Sequence, residues 1–229
     1  MVENKNNTSA TTTIDPRDII KDMRETLQRS YRSVFLGLQL LKEDNGPTRD
    51  LVKETGWMAT FMELKNDTNA QKDEYRIWLI NQGFADLAKG VESSLERAYL
   101  LMWLLSNVGS NVKTLGDLKK HLHKLKYDIK ISTMLKEIDK YSSKEIVYKS
   151  EIESINKARN CLVHEKGVVS DEILIICWIN FKGDKVKTSF KRGERIIISH
   201  EQLKELIFTC MLFAEDLAVN IPTLKNKGS

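Results

Sequence analysis

Apolar residues recur along most of this chain at spacings of three and four, the period of helices with one buried face. Asp15-Pro16 supplies a cap and a first-turn proline. Ile19, Met23, Leu27, Tyr31, Val34, Leu38 and Leu41 then predict a first helix running to about residue 44. Asn45-Gly46-Pro47 breaks that pattern, and a shorter helix is expected over 47–64, with Leu51, Met58, Phe61 and Met62 on its apolar side. After a polar break at 66–69 comes the longest expected helix, from about 70 to 108. Its seam of Val91, Leu95, Ala98, Met102 and Leu105 steps by four and three and predicts lengthwise packing against another helix. Near its end this segment is apolar on nearly every side, which predicts a central position. Gly83 and Gly90 are expected to loosen it.

Thr114 and Asp117 open a short basic helix, another helical piece passes through Met134 to Asp139, and a further helix is expected from Ser143 to Gly167, a C′ glycine. The period then changes. Residues 173–181 (ILIICWINF) are β-branched and apolar, 182–185 are turn-like, VKTSF reads as a second strand, and RIII at 195–198 as a third. Ser199 and Gln202 fit a capping box. It opens a last helix through Leu203, Leu206, Phe208, Met211, Leu212, Ala214 and Leu217. The expected fold is therefore mainly α: a helical bundle with a small antiparallel β element before the last helix. We expect one domain over 15–221 with the β insertion at about 172–198, a disordered lead-in over 1–14, and a tail over 222–229. No internal repeat is visible.

Composition narrows the function classes. The chain has 229 residues, of which 41% are hydrophobic and 30% charged, enough apolar content for a real core. Its three cysteines, Cys161, Cys177 and Cys210, include no CxxC pair, so neither a disulfide framework nor a structural zinc site is expected. The N-terminal stretch has no apolar signal core, and the run from Ala98 to Leu105 is too short to span a bilayer, which points to a cytoplasmic protein away from membranes. Net charge is only +4, but it is unevenly placed. Residues 113–130 and 182–195 each carry six basic residues against two acidic ones, a distribution suited to a polyanion. A solvated helix face and a charged hairpin would show the same counts.

One segment carries chemistry. SINKARNCLVHEKGVV holds Arg159, Asn160 and His164 in the spacing R-N-x-x-x-H. Arginine offers a planar fork and fixed positive charge to phosphate oxygens. Histidine titrates near neutrality and moves protons. On an ideal helix Glu153, Asn156, Asn160 and His164 form one polar stripe, while Arg159 lies about 140° round from His164. The Arg–His spacing by itself is weak, because Arg195 and His200 repeat it across a strand end and a helix cap.

The stretch INKARNCLVHEKGVV resembles the HEPN family, the higher eukaryotes and prokaryotes nucleotide-binding domains, and the likeness covers about Tyr75 to Gly167. The family's signature is an Arg, a polar residue, and a His four to six residues on, matched here by Arg159, Asn160 and His164. The resemblance implies an HEPN-like bundle and a metal-independent endoribonuclease needing no cofactor. RNA would be the partner, and a homodimer would form a composite cleft. The resemblance also implies a toxin or anti-phage defence role, with an antitoxin or defence-system partner. It further implies an acidic helper from an earlier helix, for which Glu92 and Glu96 are candidates.

Lys119, Lys120, Lys124, Lys191 and Arg192 are the expected RNA-contacting cations. His121 and His123 point to different helix faces and read as surface residues. Trp57, Trp78, Trp103 and Trp178 can stack on bases, but three of them sit in apolar helical patterns that predict core packing. Cys161 lies inside the motif without the neighbours that tune a thiolate. The competing readings are a catalytically silent module that binds RNA, a nucleotide or a protein, and a purely structural helical scaffold.

Overall fold

The computed structural model describes residues 16–42, 68–107, 130–142 and 144–220. The expected helix over 47–64, the basic helix from 114, the lead-in and the tail lie outside the described residues. Among the described residues, five helices and two strands follow in the order α1 (Pro16–Lys42), α2 (Thr68–Asn107), α3 (Ile131–Tyr141), α4 (Lys149–His164), β1 (Ile173–Ile179), β2 (Lys185–Lys191) and α5 (His200–Asn220). The fold is mainly helical, with one small antiparallel sheet before the last helix.

Packing follows the apolar periods. In α1, Met23, Leu27, Val34, Leu38 and Leu41 are buried, and the helix lies along α2. In α2 the seam of Val91, Leu95, Ala98 and Met102 is buried as its spacing predicts. Gly83 and Gly90 do not loosen this helix, which runs unbroken from Thr68 to Asn107. They are points of close approach instead. A methyl at Gly83 would collide with Val34, and one at Gly90 would come within 2.7 Å of Thr26 Cγ2. The missing side chains let α1 and α2 pack closely, which repays glycine's conformational cost.

The buried apolar residues form one contiguous cluster reaching from α1 to α5. Met134, Leu135 and Ile138 of α3, Ile152 and Ile155 of α4, and Leu206 and Phe213 of α5 join it. β1 pairs with β2 from Ile173↔Lys191 to Ile179↔Lys185. Its alternate residues Leu174, Ile176 and Trp178 point into the core, and the Trp178 indole donates to Glu205 Oε2 at 2.7 Å.

The outer edge of β1 is closed by two helix hydroxyls. Ser154 Oγ of α4 accepts from Cys177 N at 2.9 Å, and Thr209 Oγ1 of α5 accepts from Ile179 N at 2.8 Å. Backbone groups that an edge strand leaves unpaired are thus satisfied by the helices that flank it. The Ser154 bond also fixes α4, the motif helix, against the sheet.

Three further expectations need correction. RIII is not a third strand: only a single bridge, Val168↔Arg195, forms there, and Ile196 and Ile198 are buried in irregular backbone. The motif helix begins at Lys149 rather than 143. Trp78 is not a core residue but is 53% exposed, stacked on Tyr75 with ring centroids 5.5 Å apart. The capping box does form, with Gln202 N donating to Ser199 Oγ at 3.1 Å and Ser199 N donating to Gln202 Oε1 at 2.8 Å.

Candidate functional site

Helix α4 presents the Arg-Asn-His motif at its C-terminal end. Glu151 in the first turn and His164 in the last match the helix dipole at both ends. Ile152, Ile155, Ala158 and Cys161 face the core with Ser154, while Lys157, Asn160 and His164 are exposed. The helix stops because two successive residues turn left-handed, Lys166 at φ 56° and Gly167 at φ 77°. Glu165 N and Gly167 N both donate to Cys161 O, at 3.0 and 3.1 Å. The C′ position therefore belongs to Lys166, with Gly167 one residue beyond. A non-glycine residue in that region is strained, and it sits two residues from His164. The turn is held from the other side by Ile196 N donating to Gly167 O at 2.8 Å and Val169 N donating to Glu194 O at 3.0 Å.

Within the motif, Arg159 pairs with Asn160, its neighbour on the polar stripe. Arg159 is half-buried and swings toward its neighbour, with Nη1 donating to Asn160 Oδ1 at 3.0 Å. That bond commits the Asn160 oxygen and leaves its amide NH₂ as the outward donor. His164 follows one turn on, about 6 Å along the axis, and is exposed. Guanidinium and amide are thereby paired, and the exposed imidazole lies on the same helix one turn beyond the amide. Arg159 Nε is buried without a partner, and Asn156 Oδ1, on the same polar stripe, is likewise unsatisfied. Such donor and acceptor atoms carry a free-energy cost until a partner reaches them.

Two clefts flank this end of α4. One, of about 210 Å³, includes Lys157, Asn160, Glu165, Ser170 and Asp171. In the other, of about 400 Å³, α2 supplies Trp78, Asn81 and Ala85, and the end of α4 supplies Leu162, Val163 and Lys166. The Glu165 carboxylate is held below its ordinary range first by its hydrogen bond from Ser170, and also by the neighbouring His164. Cys161 donates to Val168 O at 3.3 Å, and burial pushes its thiol up to about 11, so it is inert as a nucleophile at neutral pH.

Among the other expected site residues, Arg192 is drawn toward the motif. Its Nε donates to Ser170 O at 2.7 Å, and Ser170 N donates to Glu165 Oε2 at 3.2 Å, next to His164. Lys191 is exposed at the end of β2, opposite Ile173. Lys185 is diverted from the basic face to the buried Glu151, at 2.6 Å. Lys119, Lys120 and Lys124, with His121 and His123, lie outside the described residues. Glu92 and Glu96 are half-buried on α2, seven and eleven residues beyond Ala85 and so on the same helical face. Glu92 makes no hydrogen bond or ion pair with Arg159 or His164 among the described residues. Those residues hold no group of three His, Cys, Asp or Glu side chains able to bind a metal ion, and no helix among them is long and apolar enough to cross a membrane.

Sequence reasoning missed Trp78, Asn81 and Lys166 as neighbours of the motif. A signal for Trp78 existed: it lies seven residues before Ala85 and fourteen before Glu92, on the polar stripe of α2 rather than on its Val91–Leu95 seam. Compared with family models, curated proteins and solved structures, the chain matches none of them.

Proposed function

We propose that the protein is a metal-independent endoribonuclease of the HEPN type. The observation that carries the reading is the turn of Arg159 onto Asn160 Oδ1, which brings the guanidinium to the stripe shared with His164. Positive charge, amide donors and an exposed imidazole then belong to the last turns of one helix, a set suited to a phosphodiester. The RNA 2′-oxygen attacks the adjacent phosphorus while His164 moves the proton. Arg159 meets the charge that develops on the phosphorane oxygens, and Asn160 orients Arg159 and donates to phosphate. The 5′-oxygen leaves protonated, giving a 2′,3′-cyclic phosphate and a 5′-hydroxyl.

Arg192, hydrogen-bonded to Ser170 beside the motif, and Lys191 extend the cationic path for RNA on this side; the basic composition around Lys119, Lys120 and Lys124 makes these further candidate RNA contacts. The resemblance to the HEPN family supports two further elements, a homodimer with two motifs at one cleft and a toxin or anti-phage defence role. The test is incubation of cellular RNA with wild type, Arg159→Ala and His164→Ala in EDTA. Cleavage by wild type alone supports the reading. Cleavage retained in both variants, or wild-type cleavage abolished by EDTA, overturns it. Binding without cleavage by wild type moves the assignment to a silent RNA-binding module.

A further inference from the structure

The larger cleft beside α4 has features that a bundle core does not need. Its α2 wall carries Trp78, which is 53% exposed and stacks one face on Tyr75 at 5.5 Å and 19°. Asn81 lies one turn on. Its Nδ2 donates to Ile196 O at 3.3 Å, which fixes the amide orientation and makes Oδ1 the remaining acceptor. That oxygen is buried and has no partner. Across the cleft stand Leu162 and Val163 of the motif helix and Lys166 in its left-handed turn. Arg195 closes the rim, paired at 2.8 Å with Glu74, so Lys166 is the cation left for a ligand.

An aromatic platform, a committed hydrogen-bond acceptor and an ammonium group together match one nucleotide of an unpaired strand. Bases stack on exposed indoles regardless of identity, every base has an N–H on its Watson–Crick edge, and phosphate seeks a cation. An apolar protein side chain would leave Asn81 Oδ1 unsatisfied and Lys166 without an anion, so the nucleic acid is the better match. The cleft also lies where a substrate chain would run, since Val163 and Lys166 bracket His164.

We propose that this cleft is a nucleobase subsite. An unpaired RNA base stacks beside Trp78, donates an N–H to Asn81 Oδ1, and places its phosphate at the Lys166 ammonium. The assignment rests on RNA as the ligand of the neighbouring motif, but not on that motif's catalysis.

The test uses the full chain carrying His164→Ala, so that cleavage cannot confound binding. Hexa-adenylate is titrated while tryptophan fluorescence and the anisotropy of labelled RNA are followed. Quenching should accompany binding and disappear in Trp78→Phe, which keeps a ring for stacking and still binds. An abasic phosphodiester chain of equal length should give no quenching. Trp78→Ala should weaken RNA binding by about 5- to 150-fold, the range for losing one base–aromatic stack. RNA that binds without quenching, or a Trp78→Ala variant that binds as tightly, overturns the subsite. So does a Trp78→Ala variant whose only change is in sedimentation, which would make the cleft a protein interface, or a complete failure to bind RNA. Wild-type cleavage with a silent Trp78 sinks the subsite alone, whereas quenching without wild-type cleavage sinks the ribonuclease reading alone.

Discussion

Thr209→Val probes the bond that ties the sheet to α5, and it does so with almost no change of shape. Thr209 is fully buried, and Oγ1 takes the Ile179 N–H at 2.8 Å while donating to Glu205 O at 2.9 Å within its own helix. Valine fills the same space but leaves the Ile179 amide without an acceptor on a buried strand edge. An orphaned buried donor costs about 1–3 kcal/mol. Helix propensities of Thr and Val are nearly equal, so little offsets the loss. With a change of about 2 kcal/mol, a domain of this size should melt about 4–8 °C lower. Calorimetry gives the shift, and amide hydrogen exchange locates it, because Ile179 N–H should exchange faster while the α1–α2 core keeps its protection. Thr209→Ser, which retains the hydroxyl, should keep the Ile179 amide protected. A Thr209→Val protein with wild-type melting and a protected Ile179 amide would refute this account of how the sheet edge is closed.

Three other outcomes follow from the same geometry. Lys166→Gly removes a side chain from left-handed backbone, a relief of about 1–2 kcal/mol, less about 0.5–1 kcal/mol for glycine's extra freedom in the unfolded chain. The variant should melt slightly higher yet bind RNA more weakly. Glu151 is pushed upward by burial, but the Lys185 ammonium, a backbone N–H and Ser150 outweigh this and hold its carboxyl below the ordinary 4.5. A depressed folded value means that its stabilisation is present above pH 4.5 and is lost as pH falls through the folded value. Glu151→Gln should therefore flatten that part of the acid limb of a stability–pH curve. Finally, native protein at pH 8 should leave Cys161 unalkylated by iodoacetamide, since its thiol lies at about 11 and is buried, whereas denatured protein should react fully.

Much of the fold was legible because its signals were local. The 3–4 spacing in α1 and α2, the β-branched run of β1 and the Ser199–Gln202 box each specify structure within a few residues. What escaped depended on distant partners. Arg195-Ile196-Ile197-Ile198 has strand composition, but Ile196 N is taken by Gly167 O and Asn81 reaches Ile196 O, so the segment closes the motif turn instead of extending the sheet. Gly83 and Gly90 look like weak points in one helix and become contact points only once Val34 and Thr26 of another arrive. At the motif, the residue types were legible but their approach was not. An ideal wheel separates Arg159 from His164, and it says nothing of the rotamer that bonds Arg159 to Asn160. Trp78 sits in an apolar stretch whose register, counted against Glu92, puts it outside the core.

The most direct test of the central claim asks whether the 2′-oxygen is the nucleophile. A short RNA that wild type cleaves in EDTA is compared with the same RNA carrying a single 2′-deoxy substitution at the cleaved nucleotide, and the product ends are identified by mass. The account predicts 2′,3′-cyclic phosphate and 5′-hydroxyl ends from the first substrate and no cleavage at the substituted position of the second. Cleavage of the 2′-deoxy substrate at that position, or 5′-phosphate ends from either, would contradict it.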